Sequence, residues 1–189
     1  MSLPIALLDA NVLYPAALRD VLVTLGAFNA YAPRWTSQIH EEWIRNIVLN
    51  RPDANRTRLE DTRRLMDAHI PNALVEGFEA RIETLSLPDP DDRHVLAAAI
   101  EAGAQILVTF NRKDFPRVEM DKWNIQVQSP DEFTCALFAL NSQLVIAAMQ
   151  DQRARLKNPP LSAQQFVGNL RLQRLPQFAA LLKPFQTQL

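Results

Sequence analysis

Acidic residues stand at four places in the chain where a fold could bring their side chains together. They are Asp9, the pair Glu41 and Glu42, the trio Asp89, Asp91 and Asp92, and Asp114. Carboxylates that converge in a small space cannot all stay ionised without a compensating cation. Such hard oxygen ligands, with few histidines and no usable cysteine, favour Mg²⁺ or Mn²⁺ over zinc. The acids therefore predict a divalent-ion site, provided that the fold collects them.

Short apolar runs alternate with helical segments, and this alternation predicts how the acids are positioned. The runs are IALL (5–8), YAPRW (31–35), QILVTF (105–110) and IQVQ (125–128). Such an alternation argues for a parallel sheet with helices on both faces. Ligand sites in such sheets lie beyond the carboxyl ends of the strands. Asp9 directly follows the first run and Asp114 lies shortly after the third, so both are expected at that edge.

Proline and capping residues predict the helices between the strands. Pro15 opens one helix, and Ser37 is expected to cap a second that ends at Arg51-Pro52. A third helix is expected from Asn55 to about Ala68. The segment 73–87 is ambiguous between helix and strand. Asp89 is expected to start a helix that runs to Gly103.

The chain is predicted to have two parts of opposite charge. Residues 1–130 are expected to form one α/β domain and residues 131–189 a basic helical extension. From residue 152 onward there are six basic residues and no acid, so this tail has a charge of +6. The net charge of the chain is −1, so residues 1–151 have a charge of −7. Such an asymmetry suggests contact with nucleic acid or an acidic partner. A solvated helical pair docked on the acidic body explains it equally well.

Composition excludes several classes of protein. The 189 residues are 48% apolar and 22% charged, which is ordinary for a soluble globular protein. No apolar run reaches the roughly 18 residues of a membrane span, and Asp9 interrupts the N-terminus too early for a signal peptide. The single cysteine, Cys135, rules out an internal disulfide and a cysteine zinc site. We therefore expect a cytoplasmic protein that does not associate with membranes.

Each acid also has a structural explanation that requires no ligand. Asp9 could accept a backbone turn bond, and Glu41 and Glu42 could be solvated residues early on a helix. Asp89 is a good N-cap, and two further acids suit the dipole of the first turn. Helix capping and the helix dipole explain one or two acids of that trio. They do not require the third.

The ordered motifs resemble the PIN domain family, in particular its toxin nucleases of the VapC type. They are LLDANVL, SQIHEEW, LPDPDDRHVLAAAI and ILVTFNRKDFP, and they span roughly residues 4–130. The D-x-N after the first strand and the VT-x-N-x-x-D after a later one are the most specific elements. The resemblance implies a Rossmann-like sheet of four or five parallel strands and a ribonuclease that uses Mg²⁺ or Mn²⁺.

The resemblance also implies roles for individual residues. Its metal-binding and catalytic acids match Asp9, Glu42, Asp92 and Asp114. Glu42 is preferred because the helix glutamate of the family is usually followed directly by a large apolar residue, here Trp43, and Glu41 is the fallback. Many relatives carry Asp two residues after the Thr of VT, where this chain has Asn111. The fourth ligand is therefore assigned to Asp114, with Asn111 as a neutral ligand or substrate contact.

Further residues are expected to support this site. Asn11 and Thr109 would orient the carboxylates, and Asp89 could reach the ion through water. Arg112 and Lys113 flank Asp114 and could contact RNA phosphates. His94 could serve as a donor at the edge of the site. Six arginines between residues 45 and 64 are read either as a solvated face or as further phosphate contacts.

The implied function is cleavage of RNA phosphodiesters by metal-activated water, which leaves 5′-phosphate and 3′-hydroxyl ends. A toxin role further implies an antitoxin protein as a partner, and a homodimer is a common state of such proteins. The alternative is a PIN-like module that binds RNA or a partner without cutting, which the Asn111 departure keeps open. A haloacid-dehalogenase phosphatase is disfavoured because its second aspartate would stand where Asn11 stands. A receiver domain is disfavoured because its phosphoacceptor strand is missing.

Overall fold

The computed structural model describes residues 3–189 and contains one parallel sheet with helices packed against it. Its strands are β1 (Ile5–Leu8), β2 (Ala32–Arg34), β3 (Ile106–Val108) and β4 (Gln126–Gln128). They lie in the order β2-β1-β3-β4, and every neighbouring pair is parallel. The predicted α/β class with a parallel sheet is confirmed, with four strands. Met1 and Ser2, the first two residues of the predicted α/β domain, lie outside the described residues.

Helices occupy most of the remaining chain. They are α1 (Ala10–Leu13), α2 (Ala16–Ala27), α3 (Ser37–Asn50), α4 (Arg56–His69), α5 (Glu79–Ile82), α6 (Arg93–Glu101), α7 (Arg117–Met120), α8 (Pro130–Leu140), α9 (Ser142–Arg155), α10 (Ala163–Leu172) and α11 (Pro176–Leu182). The last four helices follow the sheet, as expected for a helical C-terminal extension. None of the helices in residues 3–189 is both long and apolar enough to cross a membrane.

The central strands are buried because helices cover them. Leu7, Leu8, Leu107 and Val108 are all inaccessible to solvent, as expected for a sheet read from continuous apolar runs. The amide of Asp9 donates to the carbonyl of Val108 at 3.1 Å, which continues the pairing of β1 and β3 by one step. The carboxyl ends of these two strands therefore meet at the position of Asp9.

Three local expectations need correction. Thr36, not Ser37, caps α3, because its hydroxyl accepts the amide of Ile39 at 3.0 Å. The ambiguous segment 73–87 is mostly irregular and contains only α5, with one bridge between Trp35 and Leu74. The helix expected from Asp89 begins instead as a 3₁₀ turn over Pro90–Asp92, followed by α6.

The C-terminal helices are held to one another by buried polar contacts and pack against the sheet domain. Asp131, at the start of α8, accepts backbone amides of Gln177 at 3.1 Å and Phe178 at 2.9 Å. Both donors lie at the start of α11, where a carboxylate is favoured by the helix dipole. Helix α8 in turn packs against β4, and α9 packs against α2.

Two of the six basic residues in the acid-free tail serve this packing. Arg153 donates to the carbonyl of Leu161 at 2.8 Å and to that of Leu189. Arg155 reaches α2 and donates to the hydroxyl of Thr24 at 3.0 Å. Part of the positive charge of the tail therefore braces the extension and is not available for binding a ligand.

Candidate active site

Asp9 lies at the end of β1 and is 5% exposed. It precedes α1, yet its side chain makes no capping bond to that helix. Its Oδ2 instead accepts the hydroxyl of Thr109 at 2.7 Å and the amide of Asn11 at 2.6 Å. Asn11 also accepts the backbone amide of Phe110 at 3.0 Å, so the segments after β1 and β3 hold each other in place.

This environment opposes the charge on Asp9. Burial raises the pKa of Asp9 above its ordinary value, while the hydrogen bond from Thr109 lowers it. The negative charge of Glu42 raises the pKa further, and His94 lowers it. A buried carboxylate with another carboxylate nearby gains stability from any cation that binds between them.

Asp92 carries the clearest sign of a missing partner. Its Oδ2 is buried and has no hydrogen-bond donor. Burial, followed by the charges of Asp9, Asp89 and Asp114, raises the pKa of Asp92 to about 6. Three carboxylates are therefore close enough to repel it, and two of them, Asp9 and Asp114, come from other parts of the chain. Buried polar atoms without partners are rare in proteins and call for an explanation such as an absent ion.

The other two aspartates of this motif have structural places. Asp89 accepts the amide of Asp91 at 2.9 Å and so caps the 3₁₀ turn. Asp91 is exposed. Of the trio, Asp92 alone lies partly buried and without a donor for one oxygen.

The two neighbouring glutamates on α3 point to different partners. Glu42 contacts the buried Nε2 of His94 at 2.8 Å through its Oε1. Glu41 instead accepts Arg56 at 2.6 Å in an exposed ion pair. Trp43 is completely buried and fixes which side of α3 faces the core. The structure thus places Glu42, and not Glu41, beside the helix that follows Asp92.

The segment after β3 contains the remaining candidates. Asn111 donates its side-chain amide to Oδ2 of Asp114, and its backbone amide donates to Thr109 at 2.9 Å. Arg112 forms an exposed ion pair with Glu132 at 2.9 Å, and Lys113 is exposed. Asp114 lies near enough to Asp92 for its charge to raise the pKa of Asp92. Its Oδ2 already accepts a hydrogen bond from Asn111, the residue that departs from the family pattern.

The donor set fits a divalent ion in chemistry but is not preassembled around one. No group of three or more His, Cys, Asp or Glu residues within 3–189 is arranged closely enough to hold a metal. The unpartnered oxygen of Asp92 and the mutual repulsion of the acids nevertheless match oxygen ligands that await a cation.

One contact near the site could not be found from the sequence. The guanidinium of Arg174, from the C-terminal extension, stacks over the ring of Phe110 at 4.1 Å. Phe110 directly follows Thr109, so a tail residue lies beside the segment that holds Asp9. The sequence around Arg174 has no pattern that would predict this contact with a distant segment.

Comparison with known proteins shows which family the chain belongs to. The model of the PIN domain matches residues 6–113, more than half of the chain, and the chain belongs to the PIN domain family. A second model, the VapC50 C-terminal domain, matches residues 130–184.

A curated protein sequence is similar to the chain over about half of its own length. A Mycobacterium tuberculosis (strain ATCC 25618 / H37Rv) protein named "Putative ribonuclease VapC50" is 33% identical over 89 residues, which cover 47% of this chain. The match spans 52%, about half, of that protein. No solved structure matches the chain.

Proposed function

We propose that the chain is a divalent-metal-dependent endoribonuclease that acts as the toxin of a toxin–antitoxin pair. The observation that carries this proposal is the buried, unpartnered oxygen of Asp92, whose pKa is raised by burial and then by the charges of Asp9, Asp89 and Asp114. Membership of the PIN domain family and the printed name of the M. tuberculosis relative support the same activity.

Asp9 and Asp92 are the proposed principal ligands, with Glu42 and Asp114 completing the set. The proposed ion is Mg²⁺ or Mn²⁺, because every donor is a carboxylate oxygen. When bound, such an ion supplies an activated water and a positive charge opposite the scissile phosphate. Asn111, which already contacts Asp114, is a candidate neutral ligand or substrate contact.

The remaining residues orient the acids and hold the substrate. Thr109 and Asn11 both donate to Oδ2 of Asp9 and so hold its carboxylate in place. His94 contacts Glu42 and holds it near Asp9. Arg112 and Lys113 are proposed to bind phosphates that flank the scissile bond. Asp89 would act through water, since one of its oxygens caps the 3₁₀ turn.

The non-catalytic alternative has a specific observation in its favour. No ready-made group of three metal-binding side chains exists among the residues that the structure describes. A module that binds RNA or a partner protein without cutting RNA would not need a metal site. The unpartnered buried oxygen of Asp92 weighs against this alternative, since a binding module gains nothing from it.

A toxin of this kind requires a partner that silences it. We infer that an antitoxin protein binds the chain, and a homodimer is the proposed oligomeric state. The exposed basic residues near the acids, Arg112 and Lys113, offer charge for RNA or for an acidic partner segment. No step of the proposed chemistry depends on either association.

The two glutamates of α3 provide a matched test of the proposed activity. We expect Glu42→Gln to reduce Mn²⁺-dependent cleavage of single-stranded RNA by roughly 10²-fold, because it removes a charge that faces Asp9. Glu41→Gln should cleave as the parent does, since Glu41 pairs with Arg56 at the surface. Initial cleavage rates with Mn²⁺ and with EDTA measure both. Equal rates for the two variants, or cleavage in EDTA, would contradict the proposal.

A further inference from the structure

Arg19 is a buried cation with no carboxylate bound to it. It lies on α2, is 5% exposed, and forms no ion pair among residues 3–189. Burial lowers the pKa of Arg19 below its ordinary value, with only partial compensation from the nearby charge of Asp20. Burying an arginine without a counterion is costly, so its surroundings should explain it.

The contacts of Arg19 satisfy only part of its guanidinium group. Nη1 donates to the carbonyl of Leu13 at 2.6 Å, and the group stacks over the ring of Trp43 at 4.5 Å. Its Nε–H is buried and has no acceptor. These contacts orient the guanidinium but leave its Nε–H donor without an acceptor and its charge without an ion pair in the described part of the chain.

A cavity of about 330 Å³ opens beside this group. Two further arginines line it, Arg51 at the end of α3 and Arg58 on α4, together with Tyr14 and Asn55. One acid, Asp53, is also present, but it pairs only loosely with Arg51, at 3.7 Å, and both side chains are largely exposed. The cavity therefore carries an excess of positive charge.

The structure sorts five of the six arginines between residues 45 and 64 into two kinds, and the sixth, Arg45, is exposed and does not line the cavity. Arg56, Arg63 and Arg64 are ion-paired with acids of α3 or α4. Arg58 has no such partner among the described residues, and it faces the cavity with Arg51. The solvated-face interpretation thus fits one group of arginines, while the other group surrounds a space.

The cavity lies one short helix away from the acids. Asp9 precedes α1 and Tyr14 follows it, so the two ends are separated by roughly 7 Å along the helix axis at about 1.5 Å per residue. Tyr14 lines the cavity, so the chain places the cavity a short distance from Asp9. We call this space the arginine cavity and define it by Arg19, Arg51 and Arg58. The negatively charged acids and the positively charged arginine cavity therefore lie near opposite ends of α1.

We propose that the arginine cavity binds a phosphate group of the RNA strand next to the one at the acids. This rests on the proposed ribonuclease function and adds a position where the substrate is held. Planar guanidinium groups bind phosphate oxygens through two donors at once, and a buried, preordered one loses little entropy on binding. Tyr14 offers an aromatic face for the adjoining base.

The test compares two double variants with the same change of charge. Arg51→Gln/Arg58→Gln removes the accessible cavity arginines, and Arg45→Gln/Arg64→Gln removes two arginines of the same region outside it. Binding of a short fluorescent single-stranded RNA is measured in EDTA, so no cleavage occurs. We expect the cavity variant to bind about tenfold more weakly, with a salt-dependence slope reduced by roughly 0.7, and the control to change less than twofold.

Several outcomes would overturn the proposal. Equal weakening by both double variants would indicate general charge attraction, and no weakening by either would leave the cavity unused. Inorganic phosphate that raises Tm in the parent but not in the cavity variant, with RNA affinity unchanged, would indicate a site for free phosphate only. Polyglutamate that competes for the cavity more tightly than RNA would assign it to an acidic protein.

Arg19 itself gives an independent readout of the same site. Arg19→Met keeps the volume of the side chain and removes its charge, and RNA should then bind as weakly as to the cavity variant. Circular dichroism establishes that the fold is retained. Because these measurements need neither metal nor cleavage, their failure would remove the phosphate site and leave the proposed nuclease activity standing. Unchanged cleavage in the acid variants, with weaker RNA binding by the cavity variant, would remove the proposed nuclease site and leave the phosphate site standing.

Discussion

Replacing Asp9 with asparagine should abolish metal-dependent RNA cleavage and at the same time make the metal-free protein more stable. Asparagine keeps an oxygen that can accept from Thr109 and Asn11, so the local hydrogen bonds survive. Losing several kcal/mol of metal-mediated transition-state stabilisation corresponds to a fall in rate of about 10³-fold. Removing a buried charge that Glu42 repels raises Tm in EDTA, because burial raises the pKa of Asp9.

Two control variants separate this effect from simple damage. Asp91→Asn changes an exposed acid in the neighbouring motif and should leave both the cleavage rate and Tm unchanged. Asp9→Ala should abolish cleavage but lower Tm, because it leaves the donors of Thr109 and Asn11 without their acceptor. Cleavage by Asp9→Asn at the parental rate would contradict the catalytic role of Asp9.

Mn²⁺ should stabilise the protein strongly at pH 7.5 and much less at pH 5. Asp92 has a pKa of about 6 without metal, so it is ionised and available as a ligand only at the higher pH. An ion at a hundred times its Kd adds about 2.7 kcal/mol, or a Tm increase on the order of 5–10 °C for a domain of this size. Differential scanning fluorimetry with Mn²⁺ and with EDTA measures the difference, which Asp92→Asn should abolish.

In EDTA the same residue should make stability depend on pH in the opposite direction. The pKa of Asp92 is raised in the folded protein from 3.8 to about 6, so the folded state binds the proton more tightly than the unfolded chain. Its contribution to stability is complete below pH 3.8, is lost as pH rises to about 6, and is constant above that. Comparing Tm against pH for the parent and Asp92→Asn isolates this contribution. An equal slope in both proteins would exclude Asp92 as its source.

The sheet and the position of two acids were predictable because strong local patterns determine them. IALL and QILVTF are continuous apolar runs, and such runs become buried parallel strands whose carboxyl ends meet. Asp9 follows directly from that rule. The choice of Glu42 over Glu41 came from the family resemblance, in which a large apolar residue follows the helix glutamate. Trp43 occupies that position and is buried.

Other features depend on contacts between distant segments and left no local pattern. Ser37 and Thr36 are both good capping residues, and only the path of the chain from β2 selects Thr36. Arg19 lies in an ordinary amphipathic helix, so its burial over Trp43 and beside Arg51 and Arg58 could not be read from spacing. The boundary at residue 130 between the two parts of the chain remains a prediction.

A crystal soaked in Mn²⁺ and measured by anomalous diffraction tests the central claim most directly. We predict an anomalous peak at the carboxyl ends of β1 and β3, with oxygens of Asp9 and Asp92 within the roughly 2.0–2.6 Å expected of an oxygen-bound divalent ion. Asp92 Oδ2, which has no partner without metal, should be one of them. Absence of a peak at saturating Mn²⁺, or a peak that neither Asp9 nor Asp92 contacts, would contradict the shared metal site.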